Sequence, residues 1–200
     1  MADLVHRRGY QSVGVDDVCK AAGVKKGSFY HFFTSKCDLM LAALDQRWDM
    51  VRSHMRTALG RDLPPLTRIE RFFAMVAELE SANKKSGGHV LGCPFGNVAI
   101  EMSTSEPPLA RRADEAFCGF AAVIREALSE AKARGELERN IDLRDSADAI
   151  VAYFEGLALL AKTRNDPSLI HRLGARAVQL ATRPTRRTGP RRRTAPKKKP

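Results

Sequence analysis

The chain has 200 residues, of which 44% are hydrophobic and 28% are charged, and its formal net charge is +11; this is ordinary content for one or two globular domains. No run of about 18 apolar residues occurs, and the first residues lack the pattern of a signal peptide, so we expect no membrane partner and predict a cytoplasmic protein. The four cysteines are scattered without a Cys-x-x-Cys pair, which argues against a disulfide framework and against a structural zinc site.

Two short helices joined by a glycine turn are predicted between residues 9 and 36. The first helix begins at Gly14 and ends at Ala22, because apolar residues recur there at spacings of three and four. Gly23 is suited to end it, since glycine readily adopts the left-handed conformation that a helix C-terminus often needs. The apolar stripe consists of Val15, Val18, Cys19 and Ala22.

The second helix is predicted from about Lys26 to Phe33, with Phe29 and Phe33 turned towards the interior at a spacing of four residues. Its other face is polar and free to contact another molecule. That face carries Lys26, Ser28, Tyr30 and His31. A short basic and aromatic helix that follows a tight turn is typical of a helix-turn-helix DNA reader, which we place at about residues 14–33.

This segment resembles the TetR/AcrR family of bacterial one-component transcription regulators. The resemblance runs from Gly9 to Leu44. It rests on Gly9-Tyr10, Ala22-Gly23-Val24, Gly27, Tyr30, Phe33 and Ser35-Lys36. The resemblance implies an N-terminal domain of three helices over residues 1–46 that binds double-stranded operator DNA. The chain departs from the family pattern at Val13 and Gly14, where many members have Thr and Ser, so we expect the first reading helix to lack a side-chain cap.

The resemblance assigns six residues to DNA binding. They are Lys26, Gly27, Ser28, Tyr30, His31 and Lys36. Lys26 is suited to donate to a guanine edge, Tyr30 and Lys36 are expected to anchor phosphates, and Gly27 would let the backbone approach closely. Two alternatives stay open: Tyr30 as a half-buried core ring, and Lys36 as a solvated charge near the start of its own helix.

Helical periodicity continues through the rest of the chain, and no convincing run alternates as a strand does, so the protein is predicted to be all-α. After Ser35, a suitable N-cap, a long helix reaches about Ala58 and stops at Gly60. Pro64-Pro65 restart the chain, and the next helix carries Ile69, Phe72, Phe73, Val76 and Leu79. Four more helices are predicted at about 95–103, 108–134, 143–162 and 167–181.

The resemblance further implies that residues 47–182 form a C-terminal helical domain for ligand binding and dimerisation. The final two long helices would pair with their copies in a second subunit, which gives a homodimer. A small-molecule effector bound in this domain would move the reading helices apart, so the chain is predicted to be a repressor that its effector releases from the operator. Residues alone do not separate repression from activation, and an activator of the same family is an alternative.

The predicted effector pocket mixes aromatic walls with a few polar groups, which favours a largely apolar or aromatic compound. Its candidate residues are Cys93, Phe95, Asn97, Met102, Phe117, Phe120, Tyr153 and Phe154. Simple core packing is the alternative for each of them.

Residues 91–97 read Leu-Gly-Cys-Pro-Phe-Gly-Asn and resemble a Gly-Cys-x-x-Gly-Asn element of one subgroup of these regulators. An exposed Cys93 thiol of lowered pKa would be a redox or electrophile sensor, whereas a buried cysteine would be inert. His89 and Cys93 have the spacing of metal ligands on a helix, but Gly92 and Pro94 argue against a helix there. We therefore predict no metal and no cofactor.

The positive charge is concentrated at the C-terminal end. Residues 183–200 hold six arginines and three lysines without an acid, which leaves a net charge of +2 for residues 1–182. Such a segment cannot bury enough apolar surface to fold, so we predict a disordered basic tail. It is either a solvated tail without a dedicated role or a source of non-specific phosphate contacts, and a non-specific DNA-binding protein driven by this tail is a further alternative. None of the common nucleophile, metalloprotease or nucleotide-binding motifs occurs, so an enzyme is not predicted.

Overall fold

A computed structural model describes residues 1–181, which form ten α-helices and no strand within that range. The helices are α1 (Ala2–Arg8), α2 (Val15–Ala22), α3 (Lys26–Phe32), α4 (Lys36–Ala58), α5 (Pro65–Gly87), α6 (Pro94–Met102), α7 (Pro107–Ala133), α8 (Leu143–Arg164), α9 (Ser168–Gly174) and α10 (Arg176–Ala181). The predicted all-α class is confirmed. The tail predicted at 183–200 lies outside the described residues, and none of the helices described is long and apolar enough to cross a membrane.

α2 and α3 form the predicted helix-turn-helix, and their observed ends agree with the prediction to within one residue. Gly23 ends α2 in the left-handed conformation, with φ 66°. Val18 and Cys19 are buried, but Ala22 is exposed, so the apolar stripe is one turn shorter than predicted. Phe29 of α3 is buried and Phe33, directly after α3, is half-buried, as their predicted inward orientation requires.

The start of α2 has an acidic side chain in place of the missing hydroxyl cap. Gly14 occupies the N-cap position, and its backbone N–H donates to Asp17 Oδ2 at 2.8 Å. Arg8 of α1 donates to the other oxygen of the same carboxylate at 3.1 Å. The bonds from Gly14 and Arg8 lower the pKa of Asp17. Gly14 has no side chain to cap α2, and Asp17 instead fixes the turn between α1 and α2 through these two bonds.

α4 connects the DNA-binding segment to the rest of the chain. The Ser35 hydroxyl caps it by accepting from the Asp38 N–H at 3.0 Å, as the sequence predicts. α4 continues without a break through residue 46, where we placed the end of the first domain. The division into domains at 46 stays a prediction, and one continuous helix crosses that position.

The larger core lies between α4, α5, α7 and α8, and aromatic rings fill it. The Phe120 ring lies 5.3 Å from Trp48, 6.0 Å from Phe95 and 6.3 Å from Phe154, measured between centroids. At the other end of this core, the buried Arg68 of α5 donates to the Glu130 carboxylate of α7 at 2.6 Å. These contacts fix α5 and α7 relative to each other.

Two sequence predictions for this part were wrong. The helix predicted from 167 to 181 is broken at Ala175 into α9 and α10, next to Gly174, where α9 comes close to α5. A Cβ at Gly174 would lie 2.5 Å from Phe73 Cβ, so this close approach requires glycine. Leu79, which the pattern placed on the apolar face of α5, is 51% exposed.

Candidate DNA interface and effector cavity

The helix-turn-helix presents a broad accessible surface. Within residues 20–32, every residue is exposed except the buried Phe29. α3 is therefore attached through one edge, and the predicted contact residues Gly27, Ser28 and His31 lie open to solvent. A Cβ added at Gly27 would meet nothing within 4 Å, so the free protein does not itself need glycine there.

Tyr30 lies at the surface of α3. Its side chain is 56% exposed, and its ring meets the buried Phe29 ring edge-on at a centroid distance of 5.0 Å. The alternative of a half-buried core ring is thus not what the structure shows. Phe29 holds the Tyr30 ring from one side while the phenol end is free to take part in an interface.

Lys26 is paired within the helix-turn-helix. Its Nζ lies 3.0 Å from Asp16 Oδ1 of α2, and both side chains are exposed. The hydrogen bond to Asp16 raises the pKa of Lys26, so the ammonium stays charged. A guanine edge or a phosphate would therefore compete with Asp16 for this cation.

Lys36 makes intramolecular contacts. Its Nζ donates to the carbonyl oxygens of Tyr10 at 3.0 Å and Val13 at 3.2 Å, and it lies 3.9 Å from the centre of the Tyr10 ring. Lys36 is thus not a simple solvated charge, because it fastens the segment between α1 and α2 to the start of α4. The two carbonyls occupy two of its three N–H donors, and its role as a phosphate anchor stays a prediction.

Sequence reasoning missed Phe32 as a surface residue. It is 74% exposed in the last turn of α3, and the His31 ring meets it edge-on at 4.8 Å. Helical spacing gives little signal for Phe32, because it lies on the flank of the face formed by Phe29 and Phe33, about 60° around the helix from Phe29.

A cavity of about 180 Å³ lies between α1, α4, α5 and the segment at 91–93. Four of the eight predicted pocket residues line it: Cys93, Phe95, Phe120 and Phe154. Most of the remaining wall is apolar as well, with contributions from Met50, Met55, Phe72, Met75 and Leu79. Met50 and Leu79, which line the cavity, are also exposed at the surface.

The other four predicted pocket residues do not line this cavity. The Asn97 amide donates to Leu91 O and accepts from Lys162 Nζ, both at 2.9 Å, and the Tyr153 hydroxyl donates to Leu173 O at 2.9 Å. Met102 is buried in the core. Phe117 is half-buried, with its ring 6.4 Å from Phe120. All four therefore make packing or hydrogen-bond contacts within the protein.

The polar residues of the cavity wall were not predicted, because they lie far apart in the sequence, and two of them, Glu80 and His6, bond to Gly92. The buried Glu80 of α5 accepts from the N–H groups of Leu91 at 2.7 Å and Gly92 at 3.3 Å. His6 of α1 donates through Nε2 to Gly92 O at 2.8 Å. Burial raises the pKa of Glu80 and lowers the pKa of His6 to about 4. Gly92 is therefore clamped between α5 and the first helix of the DNA-binding segment.

A second contact joins the DNA-binding segment to α6. The Glu101 carboxylate accepts from the backbone N–H groups of Tyr10 and Gln11, each at 2.7 Å. Gly9, with φ 85°, lets the chain turn directly above this carboxylate, and a Cβ there would lie 3.1 Å from Glu101 Oε2. α1 and the turn after it are thus held by Gly92 on one side and by Glu101 on the other.

Cys93 lacks the properties of a reactive thiol. It is buried, and burial raises its pKa well above the ordinary value, which favours the neutral thiol. The nearby Glu155 carboxyl also has a raised pKa, about 7, because of burial, and its Oε1 has no hydrogen-bond partner. No group of three or more His, Cys, Asp or Glu side chains within residues 1–181 is placed to hold a metal ion.

Comparison with known families matches both parts of the chain. Residues 2–43 match the family model described as bacterial regulatory proteins, tetR family. Residues 65–177 match the model described as tetracyclin repressor-like, C-terminal domain. The first match covers α1 to α3 and the start of α4, and the second covers α5 to α9 and the start of α10.

Individual proteins show the same relationship. The chain is 34% identical to the transcriptional regulator AcuR of Cereibacter sphaeroides over 174 residues, which cover 85% of this chain and 77% of AcuR. It is 27% identical to the HTH-type transcriptional repressor DhaR of a Mycobacterium species, over 78% of this chain and 75% of DhaR. The crystal structure of a regulatory protein TetR from Rhodobacter sphaeroides superposes with a TM-score of 0.78 at 30% identity, over 90% of this chain and 94% of that one. The chain therefore belongs to the tetR family of DNA-binding transcription regulators.

Proposed function

We propose that this regulator is a sequence-specific homodimeric repressor, which a small-molecule effector releases from its operator. The observation that supports it most directly is the exposed surface of α3, where only Phe29 is turned into the protein. A major groove about 12 Å wide admits one such helix, with its exposed side chains towards the base edges.

The six predicted DNA contacts fall into three kinds. Ser28 and His31 lie on exposed α3 positions that suit base or phosphate contacts, and Lys26 reaches DNA only by leaving Asp16. Tyr30 and Lys36 are proposed phosphate anchors, with Lys36 also holding the turn before α2. Gly27 is proposed to allow close approach of the backbone, because no contact inside the protein explains a glycine there.

Dimerisation is proposed through α8 and the C-terminal helices. Leu159 and Leu160 of α8 are 49% and 41% exposed, and Leu180 of α10 is 52% exposed. Exposed leucines on the last helices favour a contact with a second copy. Two copies would present two α3 helices to two half-sites related by twofold symmetry.

Release by an effector is supported by the position of the cavity. Its wall includes His6 of α1, and His6 is bonded to Gly92, which also belongs to that wall. A compound can bind the cavity more tightly in one arrangement of α1 than in another. It then shifts the dimer towards the arrangement that it binds more tightly, and the size of the shift is set by the difference in affinity. The apolar wall and its three methionines favour a largely apolar compound.

The test is selection of bound duplexes from a random pool by the purified full chain, followed by a compound screen for release. A palindromic consensus with two half-sites supports the proposal. If the regulator is a repressor, adding it should lower transcription from a promoter that carries this consensus. Transcription that rises instead identifies an activator. The same selection with residues 184–200 deleted tests the tail. If the full chain binds DNA without a consensus and the truncated chain does not bind at all, the result favours a non-specific binder that depends on its basic tail.

A further inference from the structure

Phe32 is a large apolar side chain on the exposed part of α3, where its neighbours Ser28 and His31 are polar. At 74% it is the most exposed of the large hydrophobic residues in the described part of the chain. It lies in the last turn of α3, against the edge of the His31 ring. A phenyl ring that stays in water does not stabilise the free protein. We therefore expect it to be buried in a contact that forms in a complex.

The position of Phe32 on α3 continues the proposed DNA surface. Phe32 follows Ser28 by four residues, and side chains at that spacing lie next to each other on a helix. Both are exposed, whereas Phe29 marks the side of α3 that faces the core. The phenyl ring therefore belongs to the same edge as a proposed base or phosphate contact.

The chemistry of a phenyl ring restricts what Phe32 can recognise. It has no donor for a phosphate and neither a donor nor an acceptor for the polar edge of a base. The apolar group that a base pair displays in the major groove is the C5 methyl of thymine, and Phe is among the side chains that contact it. We propose that Phe32 is a specificity-determining residue that reads the C5 methyl of one thymine in each half-site of the operator.

This inference rests on the proposed function, because it needs α3 in the major groove. Removing one methyl group from an apolar contact lowers affinity about fourfold, and removing it in both half-sites lowers affinity about fifteenfold if the two half-sites act independently. Only the thymine that Phe32 contacts should show a loss of affinity that depends on Phe32.

The experiment uses duplexes of the selected operator in which each thymine in turn is replaced by deoxyuridine. Deoxyuridine keeps every hydrogen-bonding group of thymine and lacks only the C5 methyl. The full chain is expected to bind the duplex about fourfold more weakly when one particular half-site thymine is replaced. Phe32→Ala is expected to bind the thymine and deoxyuridine versions of that position equally, since it has no ring left to contact the methyl.

Ile100→Ala is the matched control. Ile100 is 70% exposed on α6, so its replacement also removes a large exposed apolar side chain, but away from α3. This variant should keep the full preference for thymine. Circular dichroism and the thermal midpoint should be unchanged in both variants, because neither side chain is part of the core.

The outcomes separate the inference from the function on which it rests. A pool that yields no consensus overturns the proposed function and this inference with it. A clear consensus without any thymine at which deoxyuridine weakens binding overturns the inference alone. The same holds if Phe32→Ala keeps the thymine preference at the sensitive position, because another residue then reads that methyl.

Discussion

His6 of α1 donates a hydrogen bond to the carbonyl oxygen of Gly92 across 2.8 Å, although 86 positions separate them in the sequence. α1 precedes the helix-turn-helix, and Gly92 lies in the wall of the cavity. Glu80 holds the Gly92 N–H from the other side. A compound that enters the cavity therefore contacts the backbone at Gly92, which is also hydrogen-bonded to His6 of the DNA-binding segment.

The burial of His6 predicts that stability falls as the pH is lowered. Its pKa is about 4 in the folded chain against an ordinary value of 6.5, so the two states bind protons equally above pH 6.5. Below that pH the unfolded chain takes up a proton and the folded chain does not, and stability is lost until the pH reaches about 4. The loss amounts to about 3 kcal/mol at most.

Urea unfolding of wild type and His6→Gln between pH 7 and pH 4 measures this loss. The variant should lose less stability on acidification, and it should be less stable at pH 7 because the bond to Gly92 O is weakened. His54→Gln is the control, since His54 also lines the cavity but is exposed. Equal acid sensitivity of wild type and His6→Gln would contradict the prediction.

Glu155 should have the opposite effect over the same pH range. Burial raises the pKa of its carboxyl to about 7 from an ordinary value of 4.5, so the folded chain holds the proton more tightly than the unfolded chain. Stability that is fully present below pH 4.5 is then lost as the pH rises through about 7, again by about 3 kcal/mol at most. Glu155→Gln, which cannot ionise, should be more stable than wild type at pH 8 and should lose this dependence.

The two titrations partly cancel in the wild-type protein. A flat stability profile of the wild type between pH 4.5 and pH 6.5 is therefore compatible with both shifts, and the single variants are needed to reveal them. Glu155→Gln should fall more steeply on acidification than wild type, because it leaves the effect of His6 unopposed. A Glu155→Gln profile parallel to that of wild type would show that the carboxyl titrates normally.

The cysteines should differ sharply in their reaction with a thiol reagent. Cys118 is exposed on α7, whereas Cys93 is buried and its pKa is raised well above the ordinary value. Iodoacetamide at pH 8 should alkylate Cys118 at least about ten times faster than Cys93, because only the thiolate reacts and burial limits both access and ionisation. Peptide mass mapping over time measures the two rates. Rapid modification of Cys93 in the folded chain would restore the interpretation of Cys93 as a sensor.

The pair of Lys26 and Asp16 predicts an increase in DNA affinity when the acid is removed. Asp16→Asn frees the Lys26 ammonium and takes a negative charge away from the proposed interface. We expect operator affinity to rise about threefold to tenfold at low salt, and the gain to shrink as salt screens the charges. Stability should stay unchanged, because an exposed pair contributes little.

Lys26→Ala and Lys36→Ala complete this comparison. Lys26→Ala should change which operator sequences are preferred, and Lys36→Ala should weaken binding on all sequences about equally. Lys36→Ala should also lower the thermal midpoint, because it releases the carbonyls of Tyr10 and Val13. Titration of selected and scrambled duplexes distinguishes the two variants, and an equal loss on every duplex for both would contradict the assigned roles.

The sequence predicted the helices well because their signals are local. Gly23 ends α2 and Ser35 caps α4 through contacts with residues at most four positions away, which a pattern can identify. The cavity depends instead on long-range contacts. Four of the eight residues predicted for an effector pocket line it, because helical spacing shows that a residue is buried but not whether it faces a cavity or another side chain. His6 and Glu80 meet at Gly92 from elements that no local pattern relates.

Gly27 gives a test that separates DNA binding from folding. No atom outside α3 and its immediate neighbours lies within 4 Å of a Cβ added there, so Gly27→Ala should fold normally and gain a few tenths of a kcal/mol from better helix propensity. If the backbone of α3 approaches DNA closely, the added methyl group should lower operator affinity about tenfold, equivalent to about 1.4 kcal/mol. Ile100→Ala is the control, because Ile100 is exposed on α6, away from α3 and from the proposed dimer contact. Its operator affinity should stay at the wild-type value, provided that the dimer still forms in gel filtration. Equal affinity of Gly27→Ala and wild type would show that α3 does not approach DNA at this residue.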